Sequence, residues 1–139
     1  MSQRKILVVD DDPDIRLSLH VRLKANNYDV CFASDGVTGI SEAQKHKPDL
    51  IILDLGLPAG DGFSVLDRLR ASDNLALIPV IVLTGRDRTA SKGLSLKAGA
   101  KAFLQKPVAN AQLLSVIRQV LDGKGYAPGI VYDLGGAVH

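Results

Sequence analysis

The sequence has very little cysteine, no long apolar run and no excess of charge of one sign. Its single cysteine, Cys31, excludes an intramolecular disulfide and a thiolate metal cluster, and is typical of a reducing compartment. No apolar run approaches the roughly 20 residues of a membrane span, and the N-terminal residues lack the order of charge, apolar stretch and cleavage site of a signal peptide. We therefore expect a cytoplasmic protein that has no membrane segment.

The charge balance does not favour nucleic acid as a partner. The 17 basic and 15 acidic residues leave a formal net charge of +2, so we expect no direct nucleic-acid binding by this chain. With 46% apolar and 23% charged residues, the 139-residue chain has the composition and size of one globular domain.

Five short apolar runs alternate with segments of helical spacing. Runs 6–9, 50–53 and 80–83 are apolar without alternation, which is typical of central strands in a parallel sheet that is covered on both faces. Runs 28–32 and 102–104 contain or adjoin polar residues, so we predict that they are edge strands.

The segments between the runs show apolar residues at a spacing of three or four, which predicts one buried face for each helix. Residues 91–98 contain an internal glycine and few large apolar side chains, so this fourth predicted helix should be the least firmly packed. The predicted buried faces of the other helices are Ile15, Leu19 and Leu23; Val37, Ile40 and Ala43; Phe63, Leu66 and Leu69; and Leu113, Leu114, Ile117, Val120 and Leu121.

Strand and helix alternate five times, which predicts an α/β fold with right-handed crossovers. We expect a single doubly wound (βα)5 domain of the flavodoxin-like type, with a parallel five-stranded sheet in the order 2-1-3-4-5. Ligands of such sheets bind beyond the carboxyl ends of the strands, between strands 1 and 3. Residues 1–122 are assigned to this domain, and the glycine-rich residues 123–139 to a C-terminal tail or truncated linker.

Three aspartates follow two neighbouring central strands of the predicted sheet. Asp10 and Asp11 end the first strand, and Asp54 ends the third. Two unit charges about 4 Å apart repel by about 4 kcal/mol at an effective dielectric constant near 20, so a compensating cation is expected. A set of oxygen ligands without histidine or cysteine is typical of Mg²⁺.

A hydroxyl and an ammonium group follow the next two strands. Thr84 ends the fourth strand, and Lys106 follows the fifth. Both side chains can donate a hydrogen bond to an anionic oxygen. Together with the aspartates they predict a site for a metal-bound oxyanion, in which one carboxylate can act as a nucleophile toward phosphorus.

Four segments resemble the receiver domain of two-component response regulators, and the resemblance covers residues 4 to 122. They are KILVVDDDPDIR, PDLIILDLGLPAGDG, PVIVLTG and GAKAFLQKP, each at the expected place in the β/α order. The resemblance implies that Asp54 accepts a phosphoryl group and that Mg²⁺ is the cofactor. Asp11 would bind the metal directly, Asp10 mainly through water, and the backbone carbonyl of Gly56 would complete the metal site.

The same resemblance implies a conformational switch. Thr84 would be the switch hydroxyl, Lys106 the phosphate-binding lysine, Pro107 the residue after a cis peptide bond, and Phe103 the aromatic that turns inward. A histidine kinase or a histidine phosphotransfer protein would donate the phosphoryl group. An output partner, or a second copy in a homodimer, would then bind the face formed by the fourth predicted helix, the fifth strand and the fifth helix.

Two other interpretations remain open from the residues. A haloacid-dehalogenase-like phosphatase would use Asp10 as its nucleophile, but Asp14 stands where that pattern has threonine or valine. A receiver-like interaction module would keep the fold without accepting phosphate, and the complete set of site residues argues against it. A phospho-acceptor of this kind assists its own phosphorylation and dephosphorylation, and we do not expect any other enzymatic activity.

Overall fold

The computed structural model describes residues 3–56, 62–85 and 99–123, except for the side chain of Thr84. The fourth predicted helix and the residues from 124 onward lie outside the described residues. The strands are β1 (Lys5–Val9), β2 (Asp29–Ala33), β3 (Leu50–Leu53), β4 (Val80–Thr84) and β5 (Ala102–Gln105). The described helices are α1 (Pro13–Ala25), α2 (Gly36–His46), α3 (Gly62–Ala71) and a last helix (Asn110–Asp122).

The sheet is parallel and has the predicted strand order, β2-β1-β3-β4-β5. Val9, the last residue of β1, pairs with Ala33 of β2 and with Leu53 of β3, so these three strands end at the same level. The residues that follow β1 and β3 are therefore neighbours at one edge of the sheet.

Helices cover both faces of the sheet. The central strands are apolar without alternation because their odd and even residues enter two separate cores. Among the described residues, one core includes Leu7, Val9, Ile51, Leu53, Val82 and Phe103 together with side chains of α2 and α3. The other includes Ile6, Val8, Leu50, Ile52, Ile81 and Leu83 together with side chains of α1 and the last helix.

The predicted helix faces were wrong at three positions. Val37 was predicted to be buried but is 62% exposed, because Gly36, Gly39 and Ile40 occupy the inward positions at the start of α2. A side chain at position 39 would lie 3.1 Å from Cγ1 of Val9, so the glycine lets the helix approach β1 closely. The predicted faces of α3 and of the last helix omit Val65 and Val116, which are both buried.

The start of α1 follows directly from the local sequence. Asp12 caps the helix, and its side chain accepts a hydrogen bond from the backbone N–H of Asp14 at 2.8 Å. Pro13 occupies the first helical position, where a missing N–H costs nothing. None of the helices in the described part of the chain combines the length and the apolar character needed to cross a lipid bilayer.

Candidate functional site

Asp10 and Asp54 lie side by side at the carboxyl ends of β1 and β3. The backbone N–H of Asp54 donates to the carbonyl of Val9 at 2.9 Å, and that of Asp10 donates to the carbonyl of Ala33 at 3.0 Å. These bonds continue the sheet ladder by one residue on each strand. Asp10 and Asp54 are only 3% and 7% exposed, so two carboxyl groups are buried next to each other.

Lys106 joins the two buried carboxylates. Its Nζ lies 2.8 Å from Oδ2 of Asp10 and 3.4 Å from Oδ2 of Asp54. The other oxygen of Asp54, Oδ1, accepts a hydrogen bond from the backbone N–H of Gly56 at 2.9 Å. The two oxygens of Asp54 therefore face different donors, which fixes the orientation of the carboxylate.

Burial and the contact between Asp10 and Lys106 act in opposite directions on the pKa of each group. Burial raises the pKa of the Asp10 carboxyl above the ordinary value of 3.8, although the hydrogen bond from Lys106 opposes the increase. Burial alone would lower the pKa of Lys106, but the hydrogen bond to Asp10 and the charges of Asp54 and Asp10 together outweigh it and raise this pKa. The ammonium form of Lys106 is thus retained, while the negative charge of Asp10 remains costly.

Asp11 completes a cluster that fits a divalent cation. One carboxylate oxygen from each of Asp10, Asp11 and Asp54 lies within 4.8 Å of the other two. Asp11 is exposed and the other two residues are buried, so the cluster opens toward solvent at Asp11. Among the described residues, the three carboxylates outnumber the ammonium of Lys106 and the guanidinium of Arg16, so an excess of negative charge remains that a hard, oxygen-preferring cation would neutralise.

The structure describes the backbone, and in part the side chains, of the other predicted site residues. The peptide bond between Lys106 and Pro107 is cis. The backbone of Thr84 pairs with Gln105 at the end of β4, and its side chain lies outside the described part. Phe103 is completely buried in the core shared with α2 and α3, so its ring lies in the protein interior.

Two residues that bear on the site were missed by sequence reasoning. At position 62, a Cβ would lie 2.5 Å from Cα of Leu55 and 2.8 Å from the carbonyl oxygen of Asp54, so a side chain does not fit there. Arg16 donates a hydrogen bond from its guanidinium group to the backbone carbonyl of Asp10 at 2.6 Å. Neither contact leaves a signal in the sequence, because both depend on how a helix meets a strand end.

Comparison with known proteins decides the family. The family model of the response regulator receiver domain matches residues 6–118 of the sequence. The chain belongs to this family. The family and the fold predicted from the sequence are thereby confirmed, and the phosphatase interpretation is excluded. Receiver domains of this family are phospho-accepting components of two-component signalling that interact with histidine kinases, and they are not ordinary enzymes.

Relatives and solved structures agree with this assignment. The transcriptional regulatory protein PrrA of Mycobacterium tuberculosis is 38% identical over 121 residues, which cover 87% of this receiver domain chain and 51% of PrrA. The chain thus spans about half the length of this relative. A CheY-like receiver domain protein from Methanospirillum hungatei is 30% identical with a TM-score of 0.82, over 88% of this chain and 96% of that one.

A further solved structure contains a metal. The receiver domain of the sensor histidine kinase PA1611 from Pseudomonas aeruginosa is 28% identical, with a TM-score of 0.80 over 86% of this chain and 98% of that one. It is described with a magnesium ion coordinated in its active site cleft.

Proposed function

We propose that this receiver domain accepts a phosphoryl group on Asp54 from a histidine kinase or a histidine phosphotransfer protein. The observation that carries the proposal is the setting of Asp54. It is buried at the end of a central strand, one oxygen is held by the N–H of Gly56, and the other faces the ammonium group of Lys106. A carboxylate that is oriented in this way, with a cation beside it, suits attack on phosphorus.

The Asp10, Asp11 and Asp54 carboxylates and the backbone carbonyl of Gly56 are the proposed ligands of Mg²⁺. The clustering of the three carboxylate oxygens supports this set, as does the magnesium ion described for the PA1611 receiver domain. When bound, the cation would offset the charge of the carboxylates and of phosphoryl oxygens.

The transfer itself needs little covalent chemistry from the protein. A carboxylate oxygen of Asp54 forms a new O–P bond while the N–P bond of the donor phosphohistidine breaks, and the electron pair of that bond returns to the imidazole. Lys106 provides a positive charge next to the carboxylate that reacts. Holding the reacting groups in line supplies most of the rate enhancement. The chain thereby assists its own phosphorylation, and it assists hydrolysis of the phosphoaspartate through the same groups.

The proposed signal is a repacking near Thr84 and Phe103. The phosphoryl group replaces about one negative charge on Asp54 by about two and adds acceptor oxygens that can attract the Thr84 hydroxyl. The side chain of Phe103 is buried in this structure. We therefore infer that phosphorylation changes the relative populations of an inward and an outward position of its ring. An output partner or a second copy would bind the face that includes β5 and the last helix.

We extend the proposal to the organisation of the chain. Residues 1–122 act as the receiver domain in the cytoplasm, and residues 123–139 act as a tail or linker. The near-neutral charge supports binding to proteins rather than direct binding of this chain to nucleic acid.

Mass spectrometry tests the proposed acceptor. After incubation with Mg²⁺ and a small phosphodonor such as acetyl phosphate, the protein should gain one phosphoryl group, and Asp54→Asn should gain none. Asp12→Asn is the control, because asparagine caps a helix as well as aspartate does, and it should be labelled normally. Labelling that persists in Asp54→Asn would refute the proposed acceptor. A wild-type protein that is never labelled would support an interaction module that works without phosphate.

A further inference from the structure

Arg16 reaches back from the first turns of α1 to the end of β1. Its backbone N–H donates to the carbonyl of Asp12 at 3.1 Å, as in a regular helix. Its guanidinium Nη1 donates to the carbonyl of Asp10 at 2.6 Å, across six residues of sequence. The side chain therefore connects the helix to the turn that carries the acidic pair.

This contact completes the restraint of Asp10. The backbone N–H of Asp10 bonds to Ala33, Oδ1 accepts from the N–H of Asp12 at 2.9 Å, and Oδ2 contacts Lys106. With Arg16 on its carbonyl, every polar atom of Asp10 has a partner. A charged donor makes this last bond stronger than one between neutral groups.

The carbonyl of Asp10 belongs to the peptide unit that joins Asp10 to Asp11. Because a peptide unit is planar, holding this carbonyl also fixes the direction in which the chain enters Asp11. The Asp11 carboxylate is exposed and makes no side-chain hydrogen bond to another described residue. Within the described structure, its position is set by its backbone alone.

We propose that Arg16 is a positioning residue for the metal site: it fixes the peptide plane between Asp10 and Asp11 and so holds the Asp11 carboxylate ready for Mg²⁺. The inference rests on the proposed function, since it assumes that Asp11 binds the cation. Groups that orient metal ligands in this way typically contribute 10- to 100-fold to metal affinity.

The charge of Arg16 and its hydrogen bond have opposite effects on Mg²⁺ affinity, so the two effects can be separated. A guanidinium near a cation site repels the cation, so removing the charge alone would strengthen Mg²⁺ binding. Loss of the restraint on Asp11 would weaken it. Arg16→Met removes both the charge and the hydrogen bond, whereas Arg16→Lys keeps the charge but loses the planar guanidinium geometry.

The test is a titration with Mg²⁺ in the absence of any phosphodonor. Binding is monitored by calorimetry or by the NMR chemical shifts of the site residues. We expect a dissociation constant about tenfold higher or more in both Arg16 variants. The control is Arg22→Met on the same helix, which should bind Mg²⁺ as the wild type does. Arginine, lysine and methionine have similar helix propensities, so α1 itself should persist.

Unchanged or tighter Mg²⁺ binding by Arg16→Met would overturn the positioning role. If that variant does not fold, Arg16→Lys decides alone: binding as in the wild type would overturn the proposal, and weaker binding at unchanged thermal stability would support it. Failure of the proposed function alone has a different signature, since the wild-type protein would then bind Mg²⁺ but remain unlabelled at Asp54. A wild type that binds no Mg²⁺ would overturn the role of Arg16 as well.

Discussion

At the scale of single residues, the main feature of the site is buried negative charge. Asp10 and Asp54 are both almost inaccessible to solvent, and Lys106 is the ammonium group that joins them. The raised pKa of Asp10, which burial causes despite the contact with Lys106, shows that this compensation is incomplete. A cation that binds the folded site should therefore stabilise the fold by mass action.

The first prediction at this scale concerns Asp11→Asn. Because Asp11 is exposed, removing its charge should stabilise the metal-free protein only slightly, by less than about 1 kcal/mol. The variant should lose most of the stabilisation by Mg²⁺, which for the wild type is about 2.7 kcal/mol at a concentration 100 times the dissociation constant. Urea unfolding in EDTA and in Mg²⁺ measures both. A less stable metal-free variant, or a wild type that does not respond to Mg²⁺, would contradict an acidic site shared by three carboxylates.

At the scale of the secondary-structure elements, helix starts position the site. The backbone N–H of Gly62, the first residue of α3, donates to the carbonyl of Leu55 at 3.2 Å, so the helix begins directly against the segment that follows Asp54. This close approach leaves no room for a side chain at position 62. At the start of α1, Asp12 caps the helix and Arg16 returns to the strand end. Both helices therefore help to hold the acidic residues.

The second prediction is that Gly62→Ala damages both stability and function. A Cβ would lie within 3 Å of the backbone of Leu55 and Asp54, so the helix or the strand end must shift. Such overpacking typically costs about 1–3 kcal/mol, and it should also slow phosphorylation by displacing Asp54. Gly85→Ala is the control, because a Cβ there meets nothing within 4 Å. Equal unfolding free energies for the two variants would show that α3 can move away freely.

At the scale of the whole molecule, the strand order connects the site to a distant face. The carboxyl ends of β1 and β3 carry the acidic residues, while β5 carries Phe103 and lies at the edge of the sheet. Phe103 pairs in register with Val82 of β4, and β4 is the strand that ends in Thr84. A change at Asp54 can therefore reach the edge of the sheet through β4 and β5.

The third prediction places the response to phosphorylation in this part of the molecule. With beryllofluoride as a phosphoryl mimic, hydrogen exchange should change more in residues 91–98, β5 and the last helix than in α1 and α2. Thr84→Ala should still be phosphorylated at Asp54 but should lose this response, because the hydroxyl couples the two. Changes confined to α1 and α2, or a full response in Thr84→Ala, would reject the route.

The fold was largely predictable from the sequence because its strands are buried on both faces. Apolar runs such as 50–53 identify central strands, and the polar residues near run 28–32 identify an edge. Both assignments agree with the flavodoxin-like strand order, which the structure confirms. Helix faces were less certain where glycine replaces a side chain. Val37 has the right spacing for burial, but Gly36 and Gly39 take the inward positions so that α2 can approach β1.

The meeting of the three aspartates was also predictable from the sequence, since residues that follow two adjacent parallel strands lie at the same edge of the sheet. What only the tertiary structure decided is how each group is held. The contact of Lys106 with both buried carboxylates, the bond from Arg16 to Asp10 and the lack of space at Gly62 all join elements that are distant along the chain or meet at an angle. Periodicity and motifs describe one element at a time, whereas these contacts depend on the distance and angle at which two elements pack.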